Sequence, residues 1–400
     1  MPDLRSSKAA SASPSVGSAA APAFDLEEVR RRIPLLATSV PLNSCSQAPL
    51  MAPTRDAAGR FLDSWDRQGM DWGAWVGEVE AARSEFAALI NASPDEVAVT
   101  TSLSAAAASV ASSLDFSRGR HRILASEAEF PSVAHVWQAF GRYGAEVEWV
   151  PMTSGRTGAE AYDSALSGES VLVSACHASY RDGSLQDLAA ISRHAHEAGA
   201  LVFADAYQTV GVEEVDVAAL GVDFLATGCV KYLMGTAGIA FLYIRRGVLE
   251  RLEPAVTGWF GRRDPFSFRQ SPLDWSSTAR RFDSGTPAIV NAYIARAGMK
   301  AIRELGLEAV TGWARELGRQ LLLGCRDRGL EVLGGRDSQG KTPLTAIPCA
   351  RASEVEERLR GRGFLVSARG PAIRLAPHFF NSPQDVDGAL DALVEALEKR

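Results

Sequence analysis

Apolar and polar residues are distributed along this chain in two recurring patterns. From about residue 96, short β-rich apolar runs recur at 96–100, 121–126, 146–152, 170–176, 201–206, 224–227 and 238–245. Between several of them lie stretches with helical apolar spacing, notably 104–114, 132–143 and 185–198. Strands alternating with amphipathic helices predict an α/β fold, a mainly parallel sheet with helices on its faces. The run 199–205 is apolar almost throughout and closes on Asp205. Ligands in such folds gather at the carboxyl ends of strands, so this carboxylate is well placed to meet one.

The pattern changes after residue 280. Long amphipathic helices are expected over 289–303 and 307–328, followed by weaker strands in 331–400 and a last helix near 384–399. This reads as a smaller α+β C-terminal domain. The expected plan is a disordered tail at 1–23, a segment 24–40 that joins the small domain, a large domain at 41–285 and the small domain at 286–400. The tail is rich in Ser, Ala and Pro and lacks the continuous apolar stretch of a signal peptide.

Composition narrows the function classes. Apolar content of 46% and charged content of 22% describe a globular protein. A net charge of −6, with no basic stripe interleaved with aromatics, gives no footprint for nucleic acid. The apolar runs are too short to span a bilayer. Cys45, Cys176, Cys229, Cys325 and Cys349 lack metal-ligand spacing, so a reduced cytoplasmic protein with no metal site is expected.

Lysine is scarce: 5 of the 42 basic residues, at positions 8, 231, 300, 341 and 399. Of these, only Lys231 is embedded in an apolar stretch; Lys341 sits in a Gly/Asp/Ser-rich loop. Arginine cannot form an imine, whereas a desolvated lysine can lose its proton and attack a carbonyl. A lysine at a strand end can also simply snorkel. Asp205 opens the segment Asp205-Ala-Tyr-Gln208, and Lys231 follows 26 residues after that carboxylate. That arrangement suits pyridoxal phosphate, whose aldehyde needs an amine and whose pyridine nitrogen needs an anion. Gln208 can hydrogen-bond the ring's phenolic oxygen, and Asp205 can alternatively cap its own turn. Thr100-Thr-Ser-Leu-Ser104 opens an Ala-rich helix whose free N–H groups form a phosphate cradle, or an ordinary Ser cap.

Further segments occur in order: Leu42-Asn-Ser-Cys-Ser46, Glu129-Phe-Pro-Ser132, His177-Ala-Ser-Tyr-Arg-Asp-Gly183, Gly258-Trp-Phe-Gly261, Arg281-Phe-Asp-Ser-Gly-Thr-Pro287 and Ile373-Arg-Leu-Ala-Pro-His378. Together with Asp205, Gln208 and Lys231 they resemble the class V aminotransferase-like family of fold-type-I pyridoxal-phosphate enzymes. That family includes cysteine desulfurases, kynureninases and isopenicillin-N-epimerase-like proteins. The resemblance implies a mainly parallel seven-stranded sheet sandwiched by helices, with a smaller C-terminal domain. It makes Lys231 the cofactor lysine and proton carrier, Asp205 the partner of the pyridine nitrogen, and Phe130 the ring that stacks on the cofactor. Tyr180 is expected near that ring and Trp259 beside the phosphate or substrate pocket. Ser102, Leu103 and Ser104 are expected at the phosphate, where the leucine offers only its backbone. Thr286 is expected to reach the phosphate of a neighbouring subunit, implying a homodimer with composite sites. Arg374 is expected to grip the carboxylate of a small amino-acid substrate, with Asn43 and His378 as further substrate contacts.

The stretch 366–374 carries no cysteine where desulfurases hold their nucleophile, so a typical cysteine desulfurase is not expected. The leading expectation is β-elimination on a cysteine-type conjugate in a biosynthetic setting. Aminotransfer, decarboxylation and epimerisation on a modified amino acid are the alternatives, and a non-catalytic relative serving as a binding protein is the rival from another class.

Overall fold

The computed structural model describes residues 21–117, 119–153 and 156–398. Most of the expected tail lies outside these residues. Seven strands form the main sheet: β1 (Val97–Thr100), β2 (Arg122–Ser126), β3 (Glu146–Val150), β4 (Ser170–Cys176), β5 (Leu201–Asp205), β6 (Phe224–Gly228) and β7 (Ala240–Ile244). Their spatial order is β1-β7-β6-β5-β4-β2-β3. Strand β7 runs antiparallel to both neighbours, and the remaining pairings are parallel.

Alternation along the strands sorts side chains into two layers. In β7, Phe241 and Tyr243 face one core while Leu242 and Ile244 face the other. Buried on both faces, the central strands read as apolar runs. One face is covered by helix Leu103–Ser112, whose small side chains let it lie close to the sheet. The other carries helix Leu188–Glu197, started by Asp187, whose carboxylate accepts from the Ala190 amide at 2.9 Å.

Two helices absent from the sequence expectation, Ala52–Gln68 and Trp72–Leu89, also join the large unit. Helix Ile289–Leu305 packs against both, and its Ala292, Ala295, Met299 and Ile302 belong to the same core as the main sheet. The expected division at 286 therefore does not coincide with a change of core. A separate core begins with Trp313, Leu317 and Leu321 of helix Leu307–Asp327. It is completed by a three-stranded antiparallel sheet, in the order Ser367–Ala368, Ala372–Leu375, Thr345–Pro348, and by helices Ala352–Arg360 and Pro383–Glu398.

The N-terminal segment is the seam between the two units. Val40–Pro41 pairs in parallel with Phe364–Leu365 of the small unit, and Asn43 bridges to Ala376. A few residues later the Ala48 amide donates to the Val230 carbonyl at 2.8 Å. One short stretch thus ties the small sheet to the loop carrying Lys231.

Candidate active site

A cavity of about 360 Å³ opens at the carboxyl ends of the parallel strands. It brings together Ser102, Leu103, Ser104, Phe130, Tyr180, Asp205, Gln208, Lys231 and Arg374 from the sequence expectation. Six places deliver them: the start of the Ala-rich helix, the loops after β2 and β4, the ends of β5 and β6, and the hairpin of the three-stranded sheet.

Asp205 closes β5, and its Oδ1 accepts from the Tyr207 amide at 2.9 Å. The turn-capping role is therefore real, and it holds the carboxylate at the cavity wall. Burial pushes the Asp205 carboxyl up, while the Tyr207 amide and the Lys231 charge favour its ionised form. Gln208 donates through Nε2 to the Cys45 carbonyl at 3.1 Å, leaving a buried Oε1 without a partner.

Lys231 follows β6 on an irregular turn and is partly buried. Its Nζ lies 4.1 Å from the centroid of the Tyr207 ring and 5.8 Å from that of Phe130. It has no hydrogen-bond or ion-pair partner among the described residues. Desolvation lowers its pKa to about 8, with Asp205 opposing and Arg374 and Arg369 adding to the fall. A substantial neutral fraction thus exists near physiological pH. Gly228 at the end of β6 makes room for Tyr207, because a Cβ there would sit 2.2 Å from its hydroxyl.

Phe130 precedes helix Pro131–Ala139 and meets the Tyr180 ring edge-on at 5.0 Å. Beneath them Glu129 is buried; desolvation first, and the nearby Asp205 second, raise its pKa to about 8, which keeps it neutral. Ser102 caps helix Leu103–Ser112 through its Oγ, which accepts from the Ala105 amide at 3.1 Å. The ordinary cap is present, and the first-turn amides of Leu103 and Ser104 have no intrahelical acceptor. They face the cavity with the positive end of the helix dipole.

Arg374 lies on strand Ala372–Leu375 and is only 1% exposed. Nη1 donates to the Tyr180 carbonyl at 2.6 Å, and Nη2 donates to Ser46 Oγ and Ser367 Oγ at 2.8 Å each. Its buried Nε is unpartnered, and no carboxylate pairs with it among the described residues. A buried guanidinium without a counter-ion is costly, and a ligand carboxylate would relieve it.

Four expected residues do not line this cavity. Asn43 makes the bridge to Ala376. His378 is buried against Tyr232, with Nε2 at 3.0 Å from the Tyr232 carbonyl, and burial lowers its pKa to about 4, so it acts as a neutral packing group. Trp259 sits in an aromatic cluster with Trp72, Phe260 and Phe268. Thr286 is exposed and borders a separate narrow crevice with Thr101. Conversely, Ser46, Tyr207 and Arg369 line the cavity without having been singled out by the sequence. Parity along 367–374 was the available signal for Arg369; the other two required the tertiary fold.

The fold and this cavity together define a fold-type-I pyridoxal-phosphate architecture. A family model described as "Aminotransferase class-V" matches residues 72–372, and the chain belongs to that family. An uncharacterized aminotransferase, YcbU, from Bacillus subtilis is 37% identical over 92% of this chain and 97% of its own. A kynureninase from Bacillus thuringiensis is 26% identical over 82% of this chain and 81% of its own. Among solved structures, the apo cysteine desulfurase of Thermococcus onnurineus NA1 superposes with a TM-score of 0.83 at 22% identity, covering 94% of this chain and 98% of that one. The chain is therefore a pyridoxal-phosphate-dependent enzyme of the class V family.

The residues present fit that cofactor. An unpartnered amine, a strand-end carboxylate, an orphaned amide oxygen and free first-turn amides all border one cavity of about 360 Å³. Among the described residues no cluster suited to a metal ion occurs, and no helix is long and apolar enough to cross a membrane.

Proposed function

We infer that this enzyme acts on the α-amino group of an amino acid and breaks a bond at its Cβ, with a cysteine-type conjugate as the leading substrate. The observation that carries the reading is Arg374, a buried guanidinium with no carboxylate partner, on the same cavity as the unpaired Lys231 amine. Bound pyridoxal phosphate supplies the electron sink that labilises bonds at Cα. Asp205, at the cavity wall, would pair with its pyridine nitrogen, and the helix start at 102–104 would hold its phosphate. Arg374 orients the substrate through its carboxylate, and the neutral Lys231 amine takes the Cα proton.

The environment of Lys231 favours one-base chemistry. His177 and His378 are both lowered to about 4 by burial, and neither lines the cavity. Among the described residues no histidine lines the cavity to serve as a second, opposed base for epimerisation. Persulfide chemistry is also disfavoured: the hairpin 367–374 lacks a cysteine, and both cysteines on the cavity wall, Cys45 and Cys176, are buried. Burial holds the Cys176 thiol well above the usual range. Aminotransfer is the second reading, favoured by the likeness to the 37%-identical uncharacterized aminotransferase of Bacillus subtilis.

Incubating the enzyme with cysteine S-conjugates tests this directly. Pyruvate, ammonia and free thiol in equal amounts are expected. Keto-acid formation with no thiol release would replace the lyase by an aminotransferase, and a colourless protein that takes up no cofactor would favour a binding protein.

The functional unit in this reading is a homodimer. Thr286 is exposed beside the phosphate-binding turn, and Phe266 and Phe268 are exposed large apolar residues of the adjoining loop. In heterodimers of Thr286→Ala and Lys231→Ala subunits, one restored site is expected; proven heterodimers without activity would exclude composite sites.

A further inference from the structure

The hairpin that presents Arg374 presents a second arginine. Strand Ser367–Ala368 turns through Arg369-Gly-Pro371 into Ala372–Leu375, and Ser367 stands opposite Arg374. The cross-strand pair shares a face, as the bond between Ser367 Oγ and Arg374 Nη2 records. Side chains alternate along a strand, so Arg369, two residues beyond Ser367, returns to that face. Both arginines border the cavity.

Their surroundings differ. Arg374 is buried, with three neutral oxygen partners. Arg369 is exposed, and its guanidinium has no hydrogen-bond or ion-pair partner among the described residues. Asp205 is the one carboxylate among the described residues on the cavity wall, and it faces the cofactor amine rather than the hairpin. One α-carboxylate accounts for Arg374 and leaves Arg369 without an anion.

We propose that Arg369 recognises a second anionic group at the distal end of the substrate, so that the preferred substrates are amino acids with an acidic side chain. This assignment rests on the amino-acid reading above. Two residues along a strand advance about 7 Å, a span comparable to that between the carboxylates of a short diacid or a carboxylated cysteine thioether. Arginine's planar fork suits a carboxylate in either position.

The test uses full-length enzyme loaded with pyridoxal phosphate and follows its absorbance during titration with three acid and amide pairs: aspartate and asparagine, glutamate and glutamine, S-carboxymethylcysteine and S-carbamoylmethylcysteine. The wild type should bind each acid at least about tenfold more tightly than its amide, the scale of one charge-assisted hydrogen bond. Arg369→Gln should reduce that preference to within about twofold by weakening the acids far more than the amides, and Arg369→Lys should keep part of it. Equal binding of acids and amides by the wild type would overturn the assignment. So would equal weakening of both by Arg369→Gln, or release of cofactor from that variant, since Arg369 would then serve the α-carboxylate or the phosphate. No response to any of the six would overturn the amino-acid reading itself.

Discussion

Two lysines of this chain have the same lowered pKa and opposite situations. Lys231 and Lys341 are each shifted down to about 8, in both cases mainly by desolvation. Lys341 is the more enclosed, at 2% exposure, although it lies in a polar loop of the sequence. Its Nζ donates to the Leu333 carbonyl at 2.7 Å, and Asp182 supplies a nearby negative charge. Lys231 has instead a cavity, two aromatic faces and no polar partner. A lowered lysine pKa therefore does not identify a nucleophile by itself. An amine that is both unpaired and reachable does, because its lone pair is free to attack.

The largest test of that contrast is substitution. Lys231→Ala should abolish the cofactor's absorbance band and lower turnover by ~10³-fold or more, whereas Lys341→Ala should leave the band intact and turnover within a few-fold. Loss of the band in both variants would erase the distinction. A second test reads the amine's protonation. Cofactor uptake by the apo-enzyme requires neutral Lys231, so its rate should rise with pH and reach half its maximum near pH 8 rather than 10.5. Because the Arg374 charge lowers that pKa, Arg374→Gln should move the midpoint upward. Lys341→Met should leave it where it is.

Much of the fold could be read from the chain. Short apolar runs located all seven sheet strands to within a few residues, and for the central strands this is because burial on both faces leaves a continuous apolar signature. Helices Ala52–Gln68 and Trp72–Leu89 were missed; the first buries only Thr54 and Ala57, and the second shows little contrast between its faces. Chemistry tied to a strand end, as at Asp205 and Lys231, was legible because the backbone itself fixes its place. Ser46 enters the site from the seam, where position depends on pairing with distant segments, whereas Arg369 enters from a local hairpin turn whose parity alone pointed to it. Lys341 illustrates the reverse error: its loop reads as solvated, yet the turn at 333–334 folds over it.

The smallest expected effect is on stability. Lys341 holds its proton more weakly in the folded protein than in the unfolded chain, whose lysines keep the ordinary value of 10.5. Below about pH 8 both states are protonated and the burial penalty is fully present. Between about 8 and 10.5 the unfolded chain binds the extra proton, so stability rises with pH across that window. Lys341→Met removes this dependence together with the bond to Leu333. Losing the hydrogen bond to the carbonyl of the exposed Leu333 costs about 0.5–1.5 kcal/mol, offset in part at neutral pH by removal of the desolvated charge. Denaturant midpoints measured from pH 7 to 10.5 should therefore climb less steeply for Lys341→Met than for the wild type. Identical slopes would mean that Lys341 titrates like an exposed lysine, and the comparison with Lys231 would then rest on access to the cavity alone.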